Sequence, residues 1–280
     1  MIHVLAYSGG ADSGALSHVL AQRGINYTPV FCDTGWEHPM TLAHIDQFNA
    51  RYFRSAMIVL RSDKYDGMRG LVQIKGRVPS AKARFCTEQL KVLPMIDWIK
   101  ALDDEVTVYQ GIRADESESR GKLPERQWSD DYDAWIERPI LHWTKAEVFA
   151  YHKAHDIPIN PLYRLGAGRV GCFPCVLVNQ AELRRFSETM PEVWDRVREL
   201  EAISGRTFFE PTYIPERFCT GSEYQKDVTR KDRLTGEEIT EKVTLRLPTV
   251  DDVWRYVTNP DQTKLDDTRS ACMSIYNLCE

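Results

Sequence analysis

Long hydrophobic runs are missing from this 280-residue sequence. The longest uninterrupted apolar segment has about five residues, whereas a membrane-spanning helix needs roughly 20. A positively charged, apolar leader is missing as well, because Met1 runs directly into a short strand-like segment. The sequence contains no internal repeat and no low-complexity segment. These absences exclude a membrane-spanning helix, and they predict a cytoplasmic protein with no membrane partner.

Neither sign of charge is in large excess. The chain has 36 lysine and arginine residues and 41 aspartate and glutamate residues, for a formal net charge of −5. This mild acidity argues against a broad basic surface but allows a local basic groove. Hydrophobic residues make up 42% of the chain, which is enough for a core in one large domain or two modest ones.

Short β-rich segments alternate with longer helix-like ones in the N-terminal part of the chain. The strand-like segments are residues 4–7, 27–31, 57–60 and 106–109, and the helix-like segments are residues 13–22, 40–53 and 88–102. Repeated strand, turn and helix units form right-handed crossovers between parallel strands. The predicted fold class is therefore α/β, a parallel sheet with flanking helices.

Further elements are predicted beyond this region. Residues 115–133 are charged and nearly free of aliphatic side chains, so we expect a long surface loop. Thr144 and Glu147 have the spacing of a capping box at the start of a helix. Residues 223–242 are mostly charged and indicate an exposed hairpin or a mobile insertion. Helices are also expected at residues 180–186, 191–203 and 250–257.

A loop of sequence Ser-Gly-Gly-Ala-Asp-Ser, residues 8–13, separates the first strand from the first helix. Its two glycines let the backbone approach a ligand closely, and successive amides at a helix N-terminus bind anions. The loop lies at the carboxyl end of a strand, where open parallel sheets bind ligands. An ordinary glycine turn capped by Asp12 or Ser13 is the alternative. The spacing differs from that of the GxxxxGKS/T and GxGxxG loops.

This loop resembles the SGGxDS pyrophosphate loop of the PP-loop ATP pyrophosphatases, a superfamily that includes adenylylating thiolation enzymes and the phosphoadenosine phosphosulfate (PAPS) reductases. Other segments resemble motifs of the PAPS reductase-like family and follow its order. They are FCDTG at 31–35, RFCTEQLK at 84–91, GIRADES at 111–117 and GCFPC at 171–175. The tail, residues 271–280, resembles the branch that contains DNA phosphorothioation sulfurtransferases and related phage proteins.

The resemblance implies an adenine nucleotide alpha hydrolase-like, Rossmann-like fold. It implies a PP-loop nucleotide-binding domain at residues 1–165 and a smaller cysteine-rich region at residues 166–280. ATP is the implied nucleotide, with Asp12 and Asp33 helping to place Mg²⁺ or the nucleotide itself. The residues expected to bind the nucleotide are Ser8, Gly9, Gly10, Ala11, Asp12, Ser13, Asp33, Thr34, Gly111 and Arg113. The expected catalytic residues are Asp12, Arg113 and Cys279.

Ala11 departs from the family pattern, which usually has lysine at this position. A lysine there would neutralise phosphate charge. Without it, either another cation supplies the positive charge or catalysis is weak. The candidates for that cation are Arg84, Lys91, Arg113 and Arg120.

The chain has seven cysteines, an odd number that disfavours a disulfide framework in a protein without a secretion signal. Cys172 and Cys175 form a C-x-x-C pair, a spacing typical of half a zinc or iron–sulfur site and also of a redox dithiol. With Cys86, Cys272 and Cys279 they give five candidates for four metal positions. The resemblance favours a [4Fe–4S] cluster near the reactive end of the nucleotide, and structural zinc is the alternative.

The remaining cysteines, Cys32 and Cys219, are expected to be buried as small apolar side chains. His152 and His155 share a predicted helix but lack an acidic partner at HExxH spacing, so we expect surface or satisfied core residues. Three tryptophans, Trp128, Trp135 and Trp143, lie among basic residues near the charged segment. Packing is the favoured role for them, and stacking on nucleic-acid bases is the alternative.

The leading hypothesis is a PAPS reductase-like PP-loop enzyme with an iron–sulfur cluster, which catalyses adenylylation-dependent sulfur transfer in nucleic-acid modification. Its expected partners are an adenine nucleotide and either nucleic acid (DNA or RNA) or a sulfur-donor protein. Reduction of PAPS or adenylyl sulfate to sulfite is the second hypothesis. The third is a nucleotide-binding subunit that Ala11 has weakened catalytically.

Overall fold

The computed structural model describes residues 1–231 and 238–267. The main strands are β1 (Ile2–Ala6), β2 (Thr28–Cys32), β3 (Ile58–Leu60), β4 (Val106–Gln110), β5 (Arg126–Ser129) and β6 (Ala134–Glu137). They form one six-stranded sheet in the order β3-β2-β1-β4-β6-β5. Neighbouring strands are parallel except β5, which pairs antiparallel with β6 at one edge. The α/β class predicted from the sequence is confirmed.

Helices flank this sheet and build the C-terminal part of the protein. They are α1 (Ala11–Gln22), α2 (Pro39–Tyr52), α3 (Gly67–Lys75), α4 (Phe85–Thr87), α5 (Leu93–Lys100), α6 (Glu118–Gly121), α7 (Lys145–Ala154), α8 (Gln180–Thr189), α9 (Val193–Ser204) and α10 (Val250–Thr258). A π-helical turn, Glu88–Val92, joins α4 to α5. Within residues 1–231 and 238–267, no helix has both the length and the apolar composition needed to cross a bilayer.

The register of the central strands brings their carboxyl ends to one edge of the sheet. Ala6, at the end of β1, pairs with Val30 of β2 and Gln110 of β4. The loops that follow β1, β2 and β4 therefore leave the sheet side by side. This is the edge at which open parallel sheets bind their ligands.

The two faces of the sheet are buried under different helices. Val4 and Val108 point to the face that α5 covers, whereas Leu5 and Tyr109 point to the opposite face, under α1 and α2. This alternation follows from the two-residue period of strand side chains. A third core joins Trp36 and residues of α3 to α8, α9 and α10. The division of the chain at residue 165 stays a prediction.

The prediction of a long surface loop at residues 115–133 is wrong, because this segment contains α6 and β5. The four residues of β5 pair with β6, and the Trp128 ring packs edge-on against Trp135 at a centroid distance of 5.6 Å. Such cross-strand pairs stabilise a polar edge strand that has no apolar periodicity of its own.

Several local predictions are confirmed. Thr144 and Glu147 form the capping box, since each side chain accepts a hydrogen bond from the other residue's backbone N–H, at 2.7 and 3.2 Å. The charged segment is a hairpin of β7 (Glu223–Lys231) and β8 (Glu238–Arg246), with the Thr229 and Thr240 hydroxyls 2.9 Å apart. The three expected C-terminal helices correspond to α8, α9 and α10.

Candidate functional site

The loop at residues 8–13 joins β1 to α1 in a tightly closed conformation. Gly9 has φ +78°, and a Cβ at this position would lie 2.8 Å from Cγ1 of Ile45, so only glycine fits. The Ser8 hydroxyl accepts a hydrogen bond from the Gly10 N–H at 3.2 Å and lies 3.1 Å from the Ser13 hydroxyl. The loop thereby places two hydroxyls at the N-terminus of α1, a position suited to phosphate, while the Gly10 N–H is already used within the loop.

Three side chains from much later in the sequence hold this loop in place. Asn160 donates from Nδ2 to the Gly9 carbonyl at 3.2 Å, and the Ala11 N–H donates to the Tyr163 hydroxyl at 3.0 Å. Nε2 of His152 lies 2.7 Å from the Ala11 carbonyl oxygen. His152 is thus a buried core residue with satisfied hydrogen bonds, as predicted. The supporting roles of Asn160 and Tyr163 were not visible in the sequence, because neither belongs to a recognisable spacing pattern.

A cleft opens beside the loop, at the carboxyl edge of the sheet. Its lining includes Ser8, Ser13, Val30, Phe31, Cys32, Glu37, Lys91, Met95, Gln110, Gly111, Ile112 and Gly171. A Cβ on Gly111 would lie 2.9 Å from the Ser13 nitrogen, so a glycine is needed for the end of β4 to approach the loop. The cleft therefore brings together the predicted nucleotide-binding residues Ser8, Ser13 and Gly111. Glu37 and Gln110 also line the cleft, and no sequence pattern pointed to either residue.

Asp12 and Arg113 lie in a second hollow, which also contains Ala11, Lys145 and Arg169. Asp12 Oδ1 is 2.6 Å from Arg113 Nε, and both side chains are almost completely buried. Arg113 also pairs with Asp115. The charge of Arg113 is thereby largely neutralised by protein carboxylates.

The cations expected to replace the charge of the lysine that is missing at position 11 lie in different places. Arg120 is buried against Glu116, and Arg84 lines the pocket of cysteines described below. Of the four candidates, Lys91 is the one that lines the cleft. Lys145 and Arg169, which share the hollow with Ala11, are further cations that the sequence analysis did not consider.

Asp33 and Thr34 follow β2 but turn in different directions. The Asp33 carboxylate accepts hydrogen bonds from the Gly35 N–H at 2.8 Å and from Arg61 Nε at 2.9 Å, and it lines a separate hollow with Arg61. The structure therefore does not place Asp33 with the residues that line the cleft. Thr34 donates its hydroxyl hydrogen to Glu37 at 2.6 Å and lies 3.5 Å from the Cys172 sulfur.

Glu37 is buried between the cleft and the cysteines. Its carboxylate accepts the Trp36 N–H at 3.1 Å as well as the Thr34 hydroxyl, and its backbone forms a β-bridge with Cys172. Burial raises the pKa of Glu37, while Lys91 and the hydrogen bond from Thr34 act in the opposite direction. The turn after β2 therefore fixes the segment that carries Cys172.

Three of the predicted metal ligands, Cys86, Cys172 and Cys175, line one pocket, together with Lys91 and Arg169. Arg169 donates to the Cys175 sulfur at 2.5 Å. Burial raises the pKa of the Cys172 thiol to about 11, an effect that nearby Lys91 reduces. A metal ion would reverse this preference for the protonated thiol, because coordination needs the thiolate.

The described residues do not by themselves form the predicted metal site. Among residues 1–231 and 238–267, no three His, Cys, Asp or Glu side chains are already arranged to hold a metal ion. Two of the five predicted ligands, Cys272 and Cys279, lie outside the described residues. The three cysteines that line the pocket are of the residue type that a four-thiolate site uses, and such a site would need a fourth ligand from elsewhere.

The remaining cysteines differ in their surroundings. Cys219 is buried in the C-terminal core, as predicted. Cys32 packs against the core on the α5 face but also lines the cleft, where its thiol lies 3.5 Å from the Lys91 carbonyl oxygen. Burial raises the pKa of Cys32 to about 12, so the thiol stays protonated near neutral pH.

The tryptophans in and near residues 115–133, the segment predicted to be a loop, pack against other side chains. Trp135 contacts Trp128, and the Arg126 guanidinium lies 4.1 Å from the Trp135 ring centroid. Trp143 packs instead on Tyr151 at 4.9 Å. These contacts agree with the packing role, and binding of nucleic acid at these rings stays a prediction.

Comparison with known proteins gives consistent matches. An uncharacterised 37.8 kDa protein of Escherichia phage 186 is 32% identical, over 77% of this chain and 81% of the phage protein. An adenosine 5′-phosphosulfate reductase of Burkholderia cepacia is 31% identical, over 61% of this chain and 68% of that enzyme. A solved structure of PAPS reductase from Candida auris has a TM-score of 0.50 at 18% identity, covering 61% of this chain and 82% of that one, which supports the same fold.

Residues 2–178, which include the sheet, the loop, the cleft and the three pocket cysteines, match the family described as the phosphoadenosine phosphosulfate reductase domain. This match covers more than half of the sequence. The chain therefore belongs to the phosphoadenosine phosphosulfate reductase domain family.

Proposed function

We propose that this family member is an enzyme that binds ATP or an adenylyl nucleotide in the cleft and uses it for adenylylation-dependent sulfur transfer in nucleic-acid modification. One observation carries the proposal. Lys91 and Gly171 line both the cleft and the pocket of cysteines. If the loop binds the phosphates of a nucleotide, the reactive end of that nucleotide would therefore lie beside the cysteines of the pocket.

The proposed chemistry uses the residues of the cleft in distinct roles. An oxygen of the acceptor attacks the α-phosphate, the bond to the β-phosphate breaks, and pyrophosphate leaves with the bonding electrons. The amides of the loop and the hydroxyls of Ser8 and Ser13 hold the departing phosphates, and Lys91 offsets their charge. A sulfur nucleophile, supplied by a sulfur-donor protein, then displaces the adenylate. Nucleic acid, DNA or RNA, is the proposed acceptor.

We further propose that the pocket holds a [4Fe–4S] cluster, with zinc as the alternative. Cys86, Cys172 and Cys175 would supply three thiolates, and Cys272 or Cys279 the fourth. Such a cluster would supply a redox-active or sulfur-binding centre beside the nucleotide. The cysteine left over would carry sulfur or act as the nucleophile.

The path of the chain supports this assignment of the tail cysteines. The Asn179 side chain donates to the Asp267 carbonyl at 3.3 Å, and the Ala181 N–H donates to the Asp266 carbonyl at 3.3 Å. Val178 and Glu182, on either side of these anchors, line the pocket of cysteines. Cys272 is five positions after Asp267, which corresponds to at most about 17 Å of extended chain. The tail therefore starts at the rim of the pocket.

A second candidate function is reduction of PAPS or adenylyl sulfate, and the similarity to adenosine 5′-phosphosulfate reductases favours it. Here the Cys279 thiolate attacks the sulfate sulfur, the sulfur–oxygen bond to the nucleotide breaks, and the nucleotide leaves. A thiol reductant then attacks the cysteine sulfur of the resulting adduct, forming a disulfide and releasing sulfite. Release of sulfite from adenylyl sulfate and dithiothreitol, with no pyrophosphate released from ATP, would favour this reaction over sulfur transfer.

Ala11 supports a third candidate, a nucleotide-binding subunit with weak turnover. Ala11 lines a hollow that contains both carboxylates, such as Asp12 and Asp115, and cations, so a lysine at this position would add one more cation beside the loop. Under this alternative, wild-type protein binds ATP without turnover and Ala11→Lys restores turnover. Ala21→Lys, at an exposed position later in α1, is the matched control and should change nothing.

The leading proposal is tested with protein purified anaerobically. We expect about four irons and four labile sulfides per chain, following cluster stoichiometry, together with pyrophosphate release from ATP in the presence of the acceptor. Lys91→Met should abolish pyrophosphate release, whereas Lys75→Met, at the exposed end of α3, should not. Colourless protein with one zinc would overturn the cluster. Absence of pyrophosphate with DNA, RNA and sulfur-donor proteins would overturn the sulfur-transfer chemistry.

A further inference from the structure

Gln110, the last residue of β4, lines the cleft beside the loop and has a buried polar group. Its side chain is 3% exposed, and its amide oxygen has no hydrogen-bond partner among the residues that the structure describes. A buried amide without a partner destabilises a fold, because it has given up its hydrogen bonds to water. Such a group at a binding cleft is explained when a ligand supplies the missing bond.

The position of Gln110 narrows the choice of ligand group. The alternation of β4 points it to the same face of the sheet as Val108, toward α5. Val30, Phe31, Met95 and Ile112 make the surrounding cleft wall apolar. An apolar wall beside the Gln110 amide suits a flat ring better than a charged group.

The chemistry of the Gln110 amide narrows the choice of ligand group further. The unpaired atom is an acceptor, so its partner must be a hydrogen-bond donor. Ionised phosphate oxygens are acceptors and cannot fill this role, and the loop at residues 8–13 already offers amides to them. The donors of an adenine nucleotide are the 6-amino group of the base and the ribose hydroxyls.

We propose that Gln110 determines base specificity by accepting a hydrogen bond from the 6-amino group of adenine. This rests on the proposed function, because it assumes that the cleft holds the nucleotide. Gly111, the next residue, touches the loop at Ser13. The end of β4 thus contacts the phosphate loop at one residue and the base at the residue before it.

The experiment measures the coupling between Gln110 and the 6-amino group. Wild type, Gln110→Leu and Gln127→Leu are titrated calorimetrically with ATP, with purine riboside 5′-triphosphate and with 2′-deoxy-ATP. Purine riboside has a hydrogen in place of the amino group, so flipping the glutamine amide cannot compensate for its loss. Gln127, on the edge strand β5, lies outside the cleft and is the matched control.

We expect wild type and Gln127→Leu to prefer ATP over purine riboside triphosphate about tenfold, the value of one buried hydrogen bond. Gln110→Leu should bind both nucleotides equally. It should also melt at the wild-type temperature or above, because an unsatisfied polar group has been replaced by an apolar one of similar size.

Three results would overturn the proposal while leaving the proposed function intact. They are equal binding of both nucleotides by wild type, a preference for ATP that survives in Gln110→Leu, and a Gln110-dependent preference that follows the 2′-hydroxyl instead. If wild type binds none of the three nucleotides, the proposed function itself fails, and the assignment of Gln110 fails with it.

Discussion

Asp12 and Arg113, which come from α1 and from the segment after β4, form a buried ion pair with 2.6 Å between Oδ1 and Nε. We expect Arg113→Met to lower the free energy of unfolding by about 3–5 kcal/mol, because it leaves the Asp12 carboxylate buried without a counter-charge. Urea unfolding measures the loss. Lys122→Met removes an exposed partner of Glu118 and should cost less than about 1 kcal/mol. Equal losses in the two variants would show that the Asp12–Arg113 pair is not specially stabilising.

Gly111 allows the end of β4 to contact the loop at residues 8–13. Gly111→Ala would place a methyl group 2.9 Å from the Ser13 nitrogen, so the strand end or the loop must shift. We expect ATP affinity to fall by roughly fivefold to 150-fold, since overpacking of this kind typically costs about 1–3 kcal/mol. In Gly121→Ala the nearest atom is 3.5 Å away, so affinity should stay at the wild-type value. Unchanged binding by Gly111→Ala would show that the loop tolerates this shift.

The cysteines of the pocket and the buried Cys219 should respond differently to substitution. Cys172→Ala removes a proposed ligand and should lower the iron and labile sulfide per chain by more than about half, because a cluster site needs its thiolates. Cys219→Ala should keep the iron content and lower stability by about 1 kcal/mol, the usual effect of a small core truncation. Full iron in Cys172→Ala would remove Cys172 from the ligand set.

His44 should make the fold less stable in mild acid. Burial, with a smaller effect of His152 in the same direction, lowers the pKa of His44 to about 4. The unfolded chain takes up a proton at this residue below about pH 6.5, so it binds more protons than the folded protein between these two values. Stability contributed by neutral His44 is therefore present above pH ~6.5 and is lost as the pH falls toward 4.

The measurement compares urea unfolding near pH 7 and pH 5. We expect wild type to lose about 2 kcal/mol through His44 between these conditions, on top of the contributions of other groups. His44→Gln should remove that part of the loss. His142→Gln, which changes a largely exposed histidine, should keep it. The same pH dependence in wild type and His44→Gln would contradict the assignment.

The sequence predicted the fold class and part of the site, for physical reasons that differ between residues. Strand and helix periodicity identifies β1, α1 and β4, because burial of one face repeats along each element. The loop glycines were recognisable because a positive φ or a close approach requires glycine, as at Gly9. The resemblance to the family's motifs predicted that Cys86, Cys172 and Cys175 belong to one site, and in the structure they line one pocket.

Other parts depended on contacts that no local pattern encodes. The edge strand β5 has no apolar periodicity and forms because β6 offers a partner. Gln110 continues an ordinary strand, and its significance lies in an amide oxygen that has no hydrogen-bond partner in the described part of the chain. The ion pair between Asp12 and Arg113, which are 101 residues apart in the sequence, is likewise seen only in the three-dimensional structure.

The hydrogen bonds from Asn160 and Tyr163 to the loop bear on where this protein can be divided. Any fragment that includes the N-terminus contains the sequence of the six-residue loop. The conformation of the loop, however, is stabilised by side chains about 150 positions later. A shortened chain that stops before the 3-10 turn Pro161–Leu165 would keep the sheet and the motif while losing the geometry that suits phosphate. We therefore expect the smallest portion that keeps this loop conformation to extend to at least residue 163, and mutational surveys confined to the motif would miss the residues that shape it.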